Sequence, residues 1–207
     1  MVATIITAMS MTDPLYRLMA WLSPAYPVGA FSHSNGLEWA VETHAVRDRQ
    51  GLVEWLRDVL RSGAGWNDAV LFVHAHRAAS AADALRLRNV AALAAAANPS
   101  RERRLETVAQ GAACRRISRD AWNAPSLALL DGIEDGDLAY PVAVATLAAG
   151  HGVALRPALV AYLHAVTANI VSAAQRLVPL GQTDGQRAIA ALMDDVEAVA
   201  TQAAALD

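Results

Sequence analysis

Chemistry in a protein chain starts from its histidines, cysteines, hydroxyls and carboxylates, and here they are thinly spread. The six histidines are His33, His44, His74, His76, His151 and His164. None stands four residues from another on a helical stretch, and HExxH is absent. His74 and His76 would point about 200° apart on a helix. There is also no cysteine pair, so a preformed transition-metal site within one chain is not expected; a site shared across a dimer axis would need only one histidine from each subunit. The single cysteine, Cys114, excludes an internal disulfide, fits a reducing compartment and sits where a small buried side chain is expected. Ser32–His33 places a nucleophile beside a base in a loop. A small helical hydrolase or ligand-binding protein built on Ser32, His33 and Glu38 is the alternative to a non-enzymatic role, but adjacent residues rarely point together and no orienting carboxylate is implied. The run DGIEDGD, residues 131–137, resembles a calcium loop and fails as one. Its third position is Ile133 and its twelfth is Val142 rather than a bidentate glutamate. It reads as a solvated turn. The phosphate-binding GxxxxGK[ST], the GxGxxG fingerprint and the GxSxG elbow are all absent.

The elements that must position these residues are helical. Hydrophobic residues make up 55% of the 207 and alanine dominates, with aromatic and β-branched runs sparse. This balance favours closely packed helices over sheets. The expectation is a single all-α domain over residues 13–207, a bundle of about eight to ten helices, after a loose tail at residues 1–12. A net charge of −3 lacks the basic footprint of a nucleic-acid binder. The first residues carry no basic n-region of a secretory signal. Two apolar stretches, residues 138–155 and 157–174, are broken by polar or helix-breaking residues and read as buried core helices rather than membrane spans.

In order, Asp13–Pro14 caps a first helix whose apolar face is Leu15, Leu18, Met19 and Leu22. A second runs from about Ser34 to His44. Asp48 caps a third, with Leu52, Val53, Leu56, Val59 and Leu60 inward and Gly63 and Gly65 breaking it. Asn67 or Asp68 starts a fourth, and Asp83 caps an alanine-rich fifth. Asn98–Pro99 opens a long helix to about Asn123. On it Arg104, Arg115 and Arg119 fall within about 60° of one another, a solvated arginine face or a partner-binding edge. Tyr140–Pro141 and Arg156–Pro157 open two further helices. After Pro179 and Gly181, Thr183 and Gln186 form a capping box for the last.

The stretch that does not read as filler is Ser23–Glu38, SPAYPVGAFSHSNGLE. Pro24 and Pro27 hold it extended, Gly29 permits a turn, and Ser32 and Ser34 can cap the following helix. It resembles the signature SPxLPxGxFSxSxGLE of the urease accessory protein F (UreF) family. A second segment, SAAQRLVPLGQTDGQ over residues 172–186, resembles that family's RLxPLGQTDGQ. Gln110–Gly111 matches a looser middle element. The chain departs from the family at Ala139 and Ala145, where a histidine and a glycine are usual. The resemblance implies an all-α cytoplasmic protein, usually dimeric, that helps insert nickel into apo-urease. It implies a complex with accessory protein UreD (also called UreH) and the GTPase UreG, with no stably bound cofactor and nickel only passing through the assembly. The residues it marks for partner binding are Pro24, Pro27, Gly29, Phe31, Ser32, Gly36, Leu37 and Glu38, with Arg176, Leu177, Pro179, Leu180, Gly181, Gln182, Thr183, Asp184, Gly185 and Gln186. Phe31, Glu38, Gln182 and Asp184 are the expected direct contacts. The prolines and glycines are expected to keep shape.

Overall fold

Local side-chain signals set where three of the helices begin. In the computed structural model, which describes residues 12–30 and 36–207, Asp48 accepts a hydrogen bond from the Gly51 N–H at 2.9 Å and opens α3, Arg49–Ser62. Asp83 does the same for Arg86 at the head of α5, Ala84–Ala96. Ser100 accepts from the Arg103 N–H at the head of α6, Arg101–Trp122. Each short side-chain oxygen satisfies a first-turn N–H that has no carbonyl to meet inside its helix.

Along α3 the spacing of Leu52, Leu56 and Leu60 puts all three on one face, and all three are buried. Each contributes about 2 kcal/mol by leaving water. They pack on α4, Ala64–Ser80, which together with α7, Tyr140–Gly150, forms the centre of the fold. Every residue of α7 from Tyr140 to Leu147 is buried, as is Ala148. A helix apolar on all sides has no solvent face, so it belongs in the middle of a bundle. Its small residues let neighbouring helices come close. The closest approach of another backbone to a glycine is at Gly111 of α6, where an added Cβ would overlap the carbonyl oxygen of Leu138 and lie 2.9 Å from its carbon. Ala139 and Ala145, where the family usually has histidine and glycine, are both buried here.

The outer elements complete the bundle: α1, Thr12–Trp21; α2, Leu37–Glu42; α8, Leu155–Leu177; α9, Gln182–Ala191; and α10, Met193–Ala204. Helix α8 is long and apolar enough to cross a membrane by length and composition. Half of its apolar window is buried in this fold, against α4, α7, α9 and α10. The described residues contain α-helices, 3-10 turns and no strand, so the all-α expectation holds.

Several local expectations are corrected by the packing. Gly65 does not break a helix. It lies buried inside the first turn of α4, which starts at Ala64 rather than at Asn67 or Asp68. Asp13 lies within the first turn of α1 as described, paired with Arg17 at 3.0 Å. Only Leu18 of the α1 apolar face is buried; Leu15 and Met19 stand exposed. Helix α2 follows Gly36, and His44 lies beyond its end with φ 63°. The expected cap at Ser34 lies outside the described residues. Thr183 and Gln186 form no capping box, because α9 starts at Gln182 behind Gly181 and its first turn has no side-chain cap. What was one last helix in the sequence is two, α9 and α10, meeting at buried Leu192. The arginines on this face of α6 are engaged within the chain. Arg104 donates to the Gly136 carbonyl and to Asp137, Arg115 to the Leu130 and Ile133 carbonyls and to Asp135, and Arg119 to the Leu127 carbonyl and to Asp131. The acidic turn is therefore clamped to α6 rather than solvated on its own.

Candidate partner-docking face

Each half of this face has a rigid backbone beneath exposed side chains. After α1 the chain turns tightly. The Ala25 N–H donates to Ser23 Oγ at 3.1 Å, the Tyr26 N–H to the Ser23 carbonyl at 2.9 Å and the Val28 N–H to the Tyr26 carbonyl at 2.8 Å. Val28 is buried, and the Tyr26 hydroxyl reaches Ser118 Oγ of α6 at 2.7 Å. Burial pushes the Tyr26 phenol up to about 12, so it stays a neutral hydrogen-bonding group. With those two side chains as anchors, Pro24, Pro27 and Gly29 face solvent. Gly29 (φ 77°) and Gly36 (φ 86°) both adopt the left-handed conformation that glycine tolerates at no steric cost. Phe31, Ser32 and His33 lie outside the described residues, and with them the nucleophile and base of the hydrolase alternative. In α2, Leu37 is fully buried and Glu38 exposed.

The second half is the corner between α8 and α9. Val178 is buried, and the Leu180 N–H donates back to its carbonyl at 2.6 Å. Arg176, Leu177, Pro179, Gly181, Gln182, Thr183 and Gln186 are exposed, Leu180 and Asp184 half-buried, and Gly185 buried. A side chain at Gly185 would run into the Gln175 amide, which itself lies 3.4 Å from Gln182 Oε1. Leu37 and Gly185 thus serve packing, while the polar residues around them are presented outward.

Tertiary structure brings the halves together. Helix α2 packs on α8, while α9 packs on α8 and α3. Arg49, the first residue of α3, lies 3.8 Å from Asp184 of α9, which also pairs with Arg187 at 3.3 Å. Arg49, which lies beyond the first signature stretch, and Asp184 of the second therefore meet although they are 135 positions apart.

Beneath the first half lies a polar cluster that the sequence reading missed. Asp68 of α4 accepts from Arg103 at 3.0 Å and from the Tyr162 hydroxyl at 2.8 Å. Arg103 also pairs with Glu106 at 3.2 Å, and Gln110 donates to Glu106. These groups line a cavity of about 40 Å³ roofed by Ser23, Pro24 and Tyr26. Burial pushes the Asp68 carboxyl up, opposed by the guanidinium of Arg103 and by the Tyr162 hydrogen bond. Burial works against the Arg103 cation too, but the two carboxylates outweigh it and hold its pKa above the usual arginine value. The one sequence signal for this cluster was a carboxylate, Asp68, the only acidic residue of α4. The described residues contain no group of three or more histidine, cysteine or carboxylate side chains placed to hold a metal ion. The Cys114 thiol is buried and pushed up to about 12, an inert packing group.

Fold and face together place the chain among all-α proteins that carry their distinguishing residues on an exposed helix corner and a braced loop. A sequence model of the UreF family matches residues 46–193, a span that takes in the α8–α9 corner. The chain is 55% identical to the urease accessory protein UreF of Bradyrhizobium sp. (strain BTAi1 / ATCC BAA-1182) over 190 residues, 91% of this chain and 78% of that protein. It is 56% identical to the urease accessory protein UreF of Rhodopseudomonas palustris (strain BisB5) over 189 residues, again 91% of this chain and 78% of that protein. The chain belongs to the UreF family of urease accessory proteins.

Proposed function

We propose that this protein is a non-enzymatic adaptor in urease maturation, needed for nickel to be inserted into apo-urease. It acts in the cytoplasm as a homodimer, in complex with UreD (UreH) and the GTPase UreG, and requires neither membrane nor nucleic acid. The observation that carries this reading is the α8–α9 corner, which presents its polar signature residues outward and meets Arg49 of α3, the helix that follows the first signature stretch and α2, at Asp184. A face of fixed backbone and outward polar side chains suits recognition by other proteins. The chain has no P-loop, so nucleotide belongs to the GTPase. An adaptor in a metal relay has no need of a tight site of its own, since metal held too firmly would not move on. No cofactor is held stably, and nickel only transits the complex.

The test is co-expression of urease subunits and accessory genes with this gene present, deleted or carrying Gln182→Ala. Lysate urease activity is read with nickel in excess. Deletion is expected to abolish activity while urease protein stays abundant and nickel-poor. Undiminished activity after deletion, in a host without a second copy of the gene, would overturn the reading.

A further inference from the structure

Helix α2 exposes a tryptophan that folding does not explain. At about 100° per residue, Leu37, Ala40 and Val41 fall on one side of the helix and Trp39 and Glu42 on the other. The structure follows that division. Leu37 and Ala40 are buried and Val41 is half-buried, while Trp39 is 69% exposed, the most exposed of the large apolar side chains described. An indole left in water gains nothing for the monomer, whereas tryptophan is the residue most enriched among those that dominate protein interfaces.

The charges around it say what it would meet. Helix α2 carries two carboxylates, Glu38 and Glu42, and no cation. Glu42 is exposed beside Trp39 and has no hydrogen-bond or ion-pair partner among the described residues. The nearest cations in sequence are engaged elsewhere: Arg47 donates to the His44 carbonyl at 3.0 Å, and Arg49 turns toward Asp184. An indole face flanked by a carboxylate suits a guanidinium or ammonium, which can lie over the ring and pair with the carboxylate at once. The patch lies on α2, the helix that also carries Leu37 and Glu38 of the first signature stretch.

We infer that Trp39 and Glu42 form an anchor point for a partner protein that presents an arginine or lysine to the outer face of α2. This rests on the adaptor reading above and adds to it the side chains that hold one partner and the chemistry that partner brings. The experiment uses full-length protein co-expressed with the other urease accessory proteins and purified through a tag on this chain. The variants are Trp39→Ala, Trp39→Phe, Glu42→Lys and Glu42→Gln. Because both side chains are exposed, the thermal midpoints should match wild type, which shows that the variants fold. Trp39→Ala and Glu42→Lys should weaken capture of one accessory protein roughly tenfold or more and lower urease activation with it. Trp39→Phe and Glu42→Gln should lose less, and wild-type capture should fall as salt rises. Wild-type capture and activation by both Trp39→Ala and Glu42→Lys would overturn the inference while leaving the adaptor reading intact. Loss of self-association with unchanged capture of the other proteins would overturn it too, since the occupant would then be a second copy of this chain. The adaptor reading fails separately, if deleting the gene leaves activity undiminished.

Discussion

Asp68 shows how much one buried carboxylate can hold. It meets Arg103 of α6 and Tyr162 of α8, so a single side chain ties three helices under the signature loop. Charges removed from water are tolerated only when paired and hydrogen-bonded, and removing one partner leaves the other exposed to the full cost of its burial. Asp68→Ala would leave Arg103 with Glu106 alone and the Tyr162 hydroxyl without its acceptor. Chemical denaturation should show a loss of about 3–5 kcal/mol. Asp68→Asn, which keeps an acceptor for Tyr162, should lose less. If Asp68→Ala unfolds at the wild-type denaturant midpoint, the cluster does not brace the three helices.

At the scale of elements, the closest backbone approach to a glycine is between α6 and the entry to α7. Gly111 is buried, and the chain at Leu138 and Ala139 runs directly against its α-carbon. The obstacle is backbone rather than the tip of a flexible side chain, so it cannot rotate away. Gly111→Ala should therefore destabilise by about 3 kcal/mol, although alanine favours the helix itself. For a chain of this size that lowers the thermal midpoint by about 6–12 °C. Calorimetry on the purified variant checks this, and an unchanged or raised midpoint would show that the helices separate at little cost. The middle element of the family resemblance, Gln110–Gly111, thus has a structural explanation in helix contact. The α6 arginines belong to this scale as well. Their grouping on one face was visible in the sequence, but their partners lie in the turn that follows the helix, so only the fold could show them engaged.

For the whole molecule, the buried histidines set a direction for stability against pH. Burial holds His76 below its usual value, and its Nε2 sits 2.8 Å from the Val153 carbonyl. Burial also lowers His151, helped by the Arg17 cation. The folded protein takes up protons on these rings at lower pH than the unfolded chain, which does so near the usual histidine value of about 6.5. Between that value and the lowered folded values the unfolded state binds more protons, so stability falls as pH drops through this window. Asp68 acts in the opposite sense, because its raised carboxyl takes a proton in the fold before it would in the unfolded chain. Two lowered histidines stand against one raised carboxyl, and the expectation is that the histidines set the net direction below neutrality. Urea midpoints should therefore be lower at pH 5.5 than at pH 7.5, with a smaller difference in His76→Gln. A midpoint that rises on acidification would show that the carboxylate prevails.

By itself, the sequence determined what is local or carried by composition. The helix starts at Asp48 and Asp83 follow from a single side chain meeting an N–H three residues away, whereas the long helix expected to open at Asn98–Pro99 is capped by Ser100 instead. Leu52, Leu56 and Leu60 follow from helical spacing, and the all-α class from the weight of alanine and the lack of strand patterns. Family membership was legible because two distinctive motifs survive in order. Only the tertiary structure decided what depends on residues far apart. It covered Leu18 but left Leu15 and Met19 in water, because whether an apolar face is buried depends on which neighbour reaches it. It turned Asp68 from an apparent helix start into the centre of a buried cluster. It brought Arg49, beyond the first signature, against Asp184 of the second. Spacing along the chain fixes the direction in which each side chain leaves its helix, but only packing fixes what it meets there.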